Sequence, residues 1–141
     1  MAEAARTDLN VALEYLAALG GDDPSHVAEL VSTDFRNEHV AEIASGCVGR
    51  DEYETRLPGF FATFPNRRYE VVETSVGSLV DDSRDGSEVI VRYRFGADVE
   101  GIRLDIPGVM WISVRDGLVI RRLDCWDSLT YHRQTGTVPV S

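Results

Sequence analysis

The hydrophobic periodicity of this chain changes once, between Pro65 and Tyr69, and that change sets the fold class. Before it the pattern is helical. Leu9, Leu13 and Leu16 recur at helical spacing behind a capping Thr7 or Asp8, and Gly20-Gly21 ends the run. Asp23-Pro24 restarts a helix, with Asp at the cap and Pro at the first helical position, where its missing N–H is not needed. Val27, Leu30 and Val31 give that helix its apolar face. Residues 34–40 read as a short extended segment and 41–49 as a loop containing Gly46 and Gly49. A third helix is predicted over Arg50 to Thr63, burying Tyr53, Leu57, Phe60 and Phe61 with Phe64 just beyond. Pro58 inside it predicts a kink or a split.

After the change the pattern is that of strands. Four are predicted: Tyr69 to Leu79, Val89 to Phe95, Ile102 to Val114 with an interruption near Pro107-Gly108, and Leu118 to Trp126. Asp81 to Gly86 is a polar turn, Arg115-Asp116-Gly117 a hairpin signal, and Asp127 the cap of a short C-terminal helix. Helices first and long strands later predict an α+β fold: a cone-shaped, strongly curved mixed or antiparallel sheet with three helices on its concave side.

Composition then narrows the chemistry. At 141 residues the chain predicts a single domain, with residues 1–6 and 137–141 as tails. All 14 basic residues are arginine, so Schiff-base lysine and phosphate-loop lysine chemistry are excluded. A net charge of −10 argues against nucleic acid and anionic membranes as partners. The sequence has no apolar run long enough to span a bilayer, and Met1 to Arg6 does not read as a signal peptide. Cys47 and Cys125 suit a reducing cytoplasm and form no metal-ligand spacing with His26, His39 or His132. With no nucleotide fingerprint and no nucleophile elbow, no metal and no cofactor is expected. An enzyme on this chain would use acid–base chemistry.

Several motifs in order carry a resemblance. They are Tyr15-Leu16-Ala17-Ala18-Leu19-Gly20-Gly21-Asp22, Asp34-Phe35-Arg36-Asn37-Glu38-His39, Gly49-Arg50-Asp51, Asp116-Gly117-Leu118-Val119, and Asp124 through Leu129. Together the sequence resembles the nuclear-transport-factor-2-like superfamily, and within it the SnoaL-like group of polyketide cyclases, with ketosteroid isomerases and limonene-type epoxide hydrolases as relatives. The resemblance implies an internal pocket and roles for particular residues. Tyr15 falls where steroid isomerases carry the tyrosine that donates to the substrate oxyanion; its alternative role is core packing. His39 falls where the isomerase places its aspartate base, and its imidazole titrates near neutral pH; a strand-end residue is the plainer reading. Asp124 matches the late-strand aspartate of hydrolases and cyclases. The isomerase's second acid falls at Met110, and the Arg–x–Asp of hydrolases is matched only in letters, by Arg103-Leu104-Asp105.

Residue alternation adds that Arg122, Asp124 and Trp126 share one strand face. In an apolar cone the Asp124 carboxyl would have a raised pKa, unless Arg92, Arg94, Arg121 or Arg122 pairs with it. The expected catalytic set is therefore Asp124, His39 and Tyr15. Asn37, Tyr53, Phe60, Met110, Trp111 and Trp126, with Phe64, are expected to contact a small apolar, oxygen-bearing substrate. The leading expectation is a cofactor-independent cyclase or isomerase; a non-catalytic binding protein and an epoxide hydrolase are the alternatives. A homodimer is expected through the sheet face, with Tyr69, Val91 and Tyr93 exposed on it.

Overall fold

The structure is a computed structural model that describes residues 7–41, 44–78 and 86–137. Helix α1 (Asp8–Leu19) begins where Thr7 accepts a hydrogen bond from the Asn10 amide at 3.1 Å. Helix α2 (Pro24–Glu29) begins where Asp23 accepts from the Ser25 amide at 3.0 Å, with Pro24 in its first turn. Both caps satisfy amides that the helix leaves without a partner. Strand β1 (Val31–His39) starts at once, so Val31 belongs to the sheet rather than to a helical face. Cys47–Val48 form a short strand, β2, against Arg36 and Asn37, where a loop is predicted. Two residues carry too little pattern to announce a strand.

Helix α3 (Arg50–Thr63) runs through Pro58 without splitting. Pro58 and Glu54 are both exposed, so the carbonyl deprived of its partner can reach water. Arg67, buried to 7% exposure, then ties two helix ends together. Its Nε donates to the Leu19 carbonyl at 2.7 Å and one terminal nitrogen to the carbonyls of Phe61 and Phe64. Its guanidinium lies 3.5 Å from the centre of the Phe61 ring.

The remaining elements are β3 (Arg68–Ser78), β4 (Ser87–Val99), β5 (Ile102–Arg115), β6 (Leu118–Trp126) and α4 (Ser128–Thr135), the last capped by Asp127. The strands form one curved open sheet in the order β2-β1-β6-β5-β4-β3. Among the described residues only β1 and β6 pair in parallel; every other pair is antiparallel. With its helices this is the α+β cone that the periodicity predicts. The core joins Val11, Tyr15 and Leu16 of α1 to Phe35, Val89, Val91 and Ile112 on the inner face of the sheet.

Strand β5 is continuous through Pro107-Gly108, against the predicted interruption. Proline is tolerated there because β6 ends opposite Gly108, at Trp126. The Pro107 carbonyl accepts from the Asp127 amide at 3.1 Å on that free side, where no ladder partner requires an N–H. The sheet face also differs from expectation. Val91 is fully buried and Tyr93 is 2% exposed, while Tyr69 is half-buried, because all three point inward. The outer face carries Arg92 and Arg94 instead, paired with Glu73 and Asp105. The predicted tails at 1–6 and 137–141, apart from Thr137, and most of the turn at 81–86 lie outside the described residues. Among the described residues no helix is long and apolar enough to cross a membrane.

Candidate functional site

A cavity of about 440 Å³ opens between the inner face of the sheet, α3 and α4. Its walls are aromatic. Phe60 and Phe64 come from α3 and the residue that ends it, Tyr69 and Phe95 from β3 and β4, and Trp126 and Tyr131 from β6 and α4. Tyr131 stands edge-on to Trp126, with ring centres 5.7 Å apart, and packs against Phe64 at 6.4 Å.

The floor is polar, and the β1–β6 pairing builds it. Asn37 stands beside Arg122, and His39 beside Asp124. Arg122 and Asp124 form an ion pair at 2.8 Å, with side chains 7% and 5% exposed. Arg122 also donates to Asn37 Oδ1 at 3.2 Å and, through Nε, to Met110 Sδ at 3.4 Å. The second oxygen of Asp124 accepts from the Tyr93 hydroxyl at 2.5 Å. Trp126 donates its indole N–H to His39 Nδ1 at 3.4 Å.

These surroundings shift the titrations. Burial raises the pKa of Asp124 above the usual carboxylate range, with the charge of Arg122 and the Tyr93 hydrogen bond pulling the other way. Burial, reinforced by the positive charge of Arg122, lowers His39 to about 4. At neutral pH His39 is therefore uncharged. With Nδ1 accepting from Trp126, its proton sits on Nε2. Burial raises Tyr53, Tyr69 and Tyr93, so all three remain phenols.

Of the residues predicted for the site, Asp124, His39, Asn37, Tyr53, Phe60, Phe64 and Trp126 line this one cavity. Three do not. Tyr15 is completely buried behind Tyr53, and their hydroxyls meet at 2.5 Å. Met110 lies beneath Arg122 and is fully buried. Trp111 alternates with Met110 and Ile112, so it projects from the outer face. Asp105 is likewise outside, on the far face, held by Arg94. Of the four arginines that could neutralise Asp124, only Arg122 reaches it. Arg121 pairs with Glu38.

Sequence reasoning missed Tyr93 as a site residue, although the signal was present. Arg92 and Arg94 flank it, and two outward arginines in a strand put the residue between them inside. Tyr69 and Tyr131 left no comparable mark. Among the described residues no group of His, Cys, Asp and Glu side chains could hold a metal.

The SnoaL-like domain model matches residues 12–122. The chain belongs to the SnoaL-like family. That match ends at Arg122, so Asp124 and Trp126 lie just beyond it and owe their place in the site to the continuing strand. No curated protein matches the chain at a significant level. Solved structures share the fold. A protein of ketosteroid isomerase-like fold from Catenulispora acidiphila, in complex with trimethylamine, is 15% identical with a TM-score of 0.73, covering 91% of this chain and 93% of its own. A Bacillus cereus protein provisionally named as a polyketide cyclase is 17% identical with a TM-score of 0.70, covering 94% and 82%. TerC, co-crystallized with polyporic acid, is 15% identical with a TM-score of 0.71, covering 92% and 98%. SnoaL-like proteins thus share this fold with proteins named for cyclase chemistry and with proteins that hold small molecules.

Proposed function

We propose that this SnoaL-like protein is a cofactor-independent acid–base catalyst. It acts on a small apolar molecule with a carbonyl or hydroxyl oxygen, by isomerase- or cyclase-type chemistry. The observation that carries this reading is Asp124, the one carboxylate among the described residues that line the cavity, set in the polar floor beneath largely apolar walls. Burial strengthens Asp124 as a base relative to a surface carboxylate. Four lone-pair sites on its oxygens, two of them taken by Tyr93 and Arg122, leave two to meet a substrate proton.

In the proposed step a C–H bond next to the substrate carbonyl breaks and its proton passes to Asp124. The electron pair moves into an enolate. The enolate oxygen accepts hydrogen bonds from the neutral His39 Nε2–H and the Tyr53 hydroxyl, in surroundings where fixed donors act strongly. Asp124 then returns the proton to carbon, or the enolate carbon attacks a second carbonyl within the substrate, whose C=O π electrons move to oxygen, and the alkoxide so formed takes the proton back from Asp124. Tyr15 acts behind Tyr53 by holding its hydroxyl. Aromatic ligands and those with attached alkyl groups fit the ring-lined walls. The bound molecules of the structural relatives, trimethylamine and polyporic acid, support small-ligand occupancy of such a cone.

The test is exchange of the α-protons of 2-tetralone in D2O, followed by NMR. Wild type is expected to accelerate exchange, and Asp124→Asn to lose about 10²–10⁴-fold of that rate. Equal acceleration by the two proteins overturns Asp124 as the base, and exchange no faster than in buffer, with the ketone bound by both, overturns catalysis. The latter outcome favours the second reading, retention of a ligand without conversion, which draws support from the fact that both Asp124 oxygens already accept bonds. The epoxide hydrolase reading is the weakest, since Asp105 stands outside the cavity and no second carboxylate lines it among the described residues.

A further inference from the structure

Tyr93 and Asp124 stand on β4 and β6, with β5 between them. Neighbouring strands lie about 4.8 Å apart, so the phenol must cross a whole strand to reach the carboxylate. It crosses at Gly108, which pairs with Tyr93 on one side and with Trp126 on the other. The inner face of β5 reads Leu104, Ile106, Gly108, Met110, Ile112, and every one of these residues except the glycine carries a large, buried side chain. A Cβ built on Gly108 would lie 2.4 Å from the Tyr93 hydroxyl oxygen, 2.5 Å from Cζ and 2.9 Å from Cε2. Real Cβ atoms do not approach that closely. Gly108 is not among the glycines with positive φ, so the demand is for space and not for an unusual backbone.

We propose that Gly108 is a positioning residue: by leaving the path across β5 open, it lets Tyr93 clamp Asp124 in a single orientation on the cavity floor. The terminal torsion of an aspartate is broad and only weakly held by its own rotamer preference. Arg122 alone fixes one oxygen, Oδ2, and leaves the carboxylate free to turn about that contact. Tyr93 fixes the other, Oδ1, so the two unspent lone pairs keep one direction. The other titratable groups facing the carboxylate are His39 from β1, Tyr53 from α3 and Tyr69 from β3. A methyl group at position 108 would push the Tyr93 ring off the strand, release Oδ1 and turn the ring into the cavity.

The consequence for turnover rests on the acid–base reading above; the consequence for the carboxyl group does not. The experiment therefore reads both. Protein carrying ¹³C-labelled aspartate is titrated by NMR as wild type, Tyr93→Phe, Gly108→Ala and the double variant, with Asp124→Asn assigning the resonance. Both single variants are expected to raise the Asp124 midpoint equally, because each removes the same hydrogen bond to the ionised form. The double variant is expected to move it no further. Tetralone exchange is expected to fall about 10- to 100-fold in both single variants, as for a misplaced catalytic group. An unchanged midpoint in Tyr93→Phe overturns the clamp, even if Gly108→Ala does not fold. An unchanged midpoint in Gly108→Ala, or shifts that add in the double variant, overturn the role of Gly108. If wild type exchanges no tetralone while the midpoints shift as expected, the catalytic reading fails and the positioning role stands.

Discussion

Two arginine–aspartate pairs on opposite faces of the same sheet show what burial does to identical chemistry. Arg94 and Asp105 meet on the outer face at 2.8 and 2.9 Å, with side chains 47% and 58% exposed. Arg122 and Asp124 meet on the inner face at 2.8 Å. Outside, the hydrogen bonds from Arg94 hold the Asp105 carboxyl below the usual range. Inside, the loss of water outweighs the neighbouring cation, and the Asp124 pKa rises. The outer pair is a surface contact. The inner pair combines an anion inclined to take a proton with the cation that keeps it ionisable.

The sharpest way to break this comparison is to remove both cations. Arg122→Met is expected to destabilise the fold by about 3–5 kcal/mol in urea unfolding, because it strands a buried carboxylate. Arg94→Met is expected to leave the midpoint close to wild type, as is usual for exposed pairs. Equal losses would mean that the inner pair is as well solvated as the outer one. Adding Asp124→Asn to Arg122→Met should recover part of the stability, since the stranded charge is then gone.

His39 gives the next effect in size. Its pKa is 6.5 as a free side chain and about 4 in the fold, so between these pH values the unfolded chain carries the extra proton. The stability contributed by neutral His39 is therefore complete above pH 6.5 and lost as pH falls towards 4. The ring is partly exposed, which limits the effect to about 1–3 kcal/mol. Urea midpoints for wild type and His39→Gln across this range should converge at the acid end; parallel curves would show that His39 is not the group responsible. Tyr15→Phe is expected to cost about 1 kcal/mol, the net value of one buried hydrogen bond, and to lower tetralone exchange by freeing Tyr53.

The smallest effect belongs to the outer face. Trp111→Phe should leave tetralone affinity unchanged, while Trp126→Phe, which alters a cavity wall, should change it. Fluorescence titration compares the two. Loss of binding in Trp111→Phe alone would reverse the assignment of faces.

Much of this molecule was legible before folding. The caps at Thr7, Asp23 and Asp127, the span of α3 and the last strand follow from local chemistry: a short side chain that satisfies a free amide, or apolar residues at a fixed period. The alternation of β6 also put Arg122, Asp124 and Trp126 on one face. The failures have a common form. Pro107-Gly108 looks like a break when read along the chain, yet it is a proline at the end of a neighbouring strand followed by a gap that a tyrosine crosses. Val91 and Tyr93 looked exposed until the sheet curved over them. Trp111 and Met110 are adjacent in sequence, and the pleat sends one outward and the other under Arg122.

The sequence by itself determined the order of the helices and the long strands, the lack of lysine and the presence of a late-strand carboxylate. Those are properties of residue type and spacing. Only the tertiary structure decided which arginine neutralises Asp124, which nitrogen of His39 carries the proton, and that Tyr93 reaches two strands away. Each depends on which side chains meet across β1, β4, β5 and β6, and on how completely water is removed where they meet. The periodicity of one strand contains no information about its neighbours' register, and the pKa of a group depends on that register more than on its own identity.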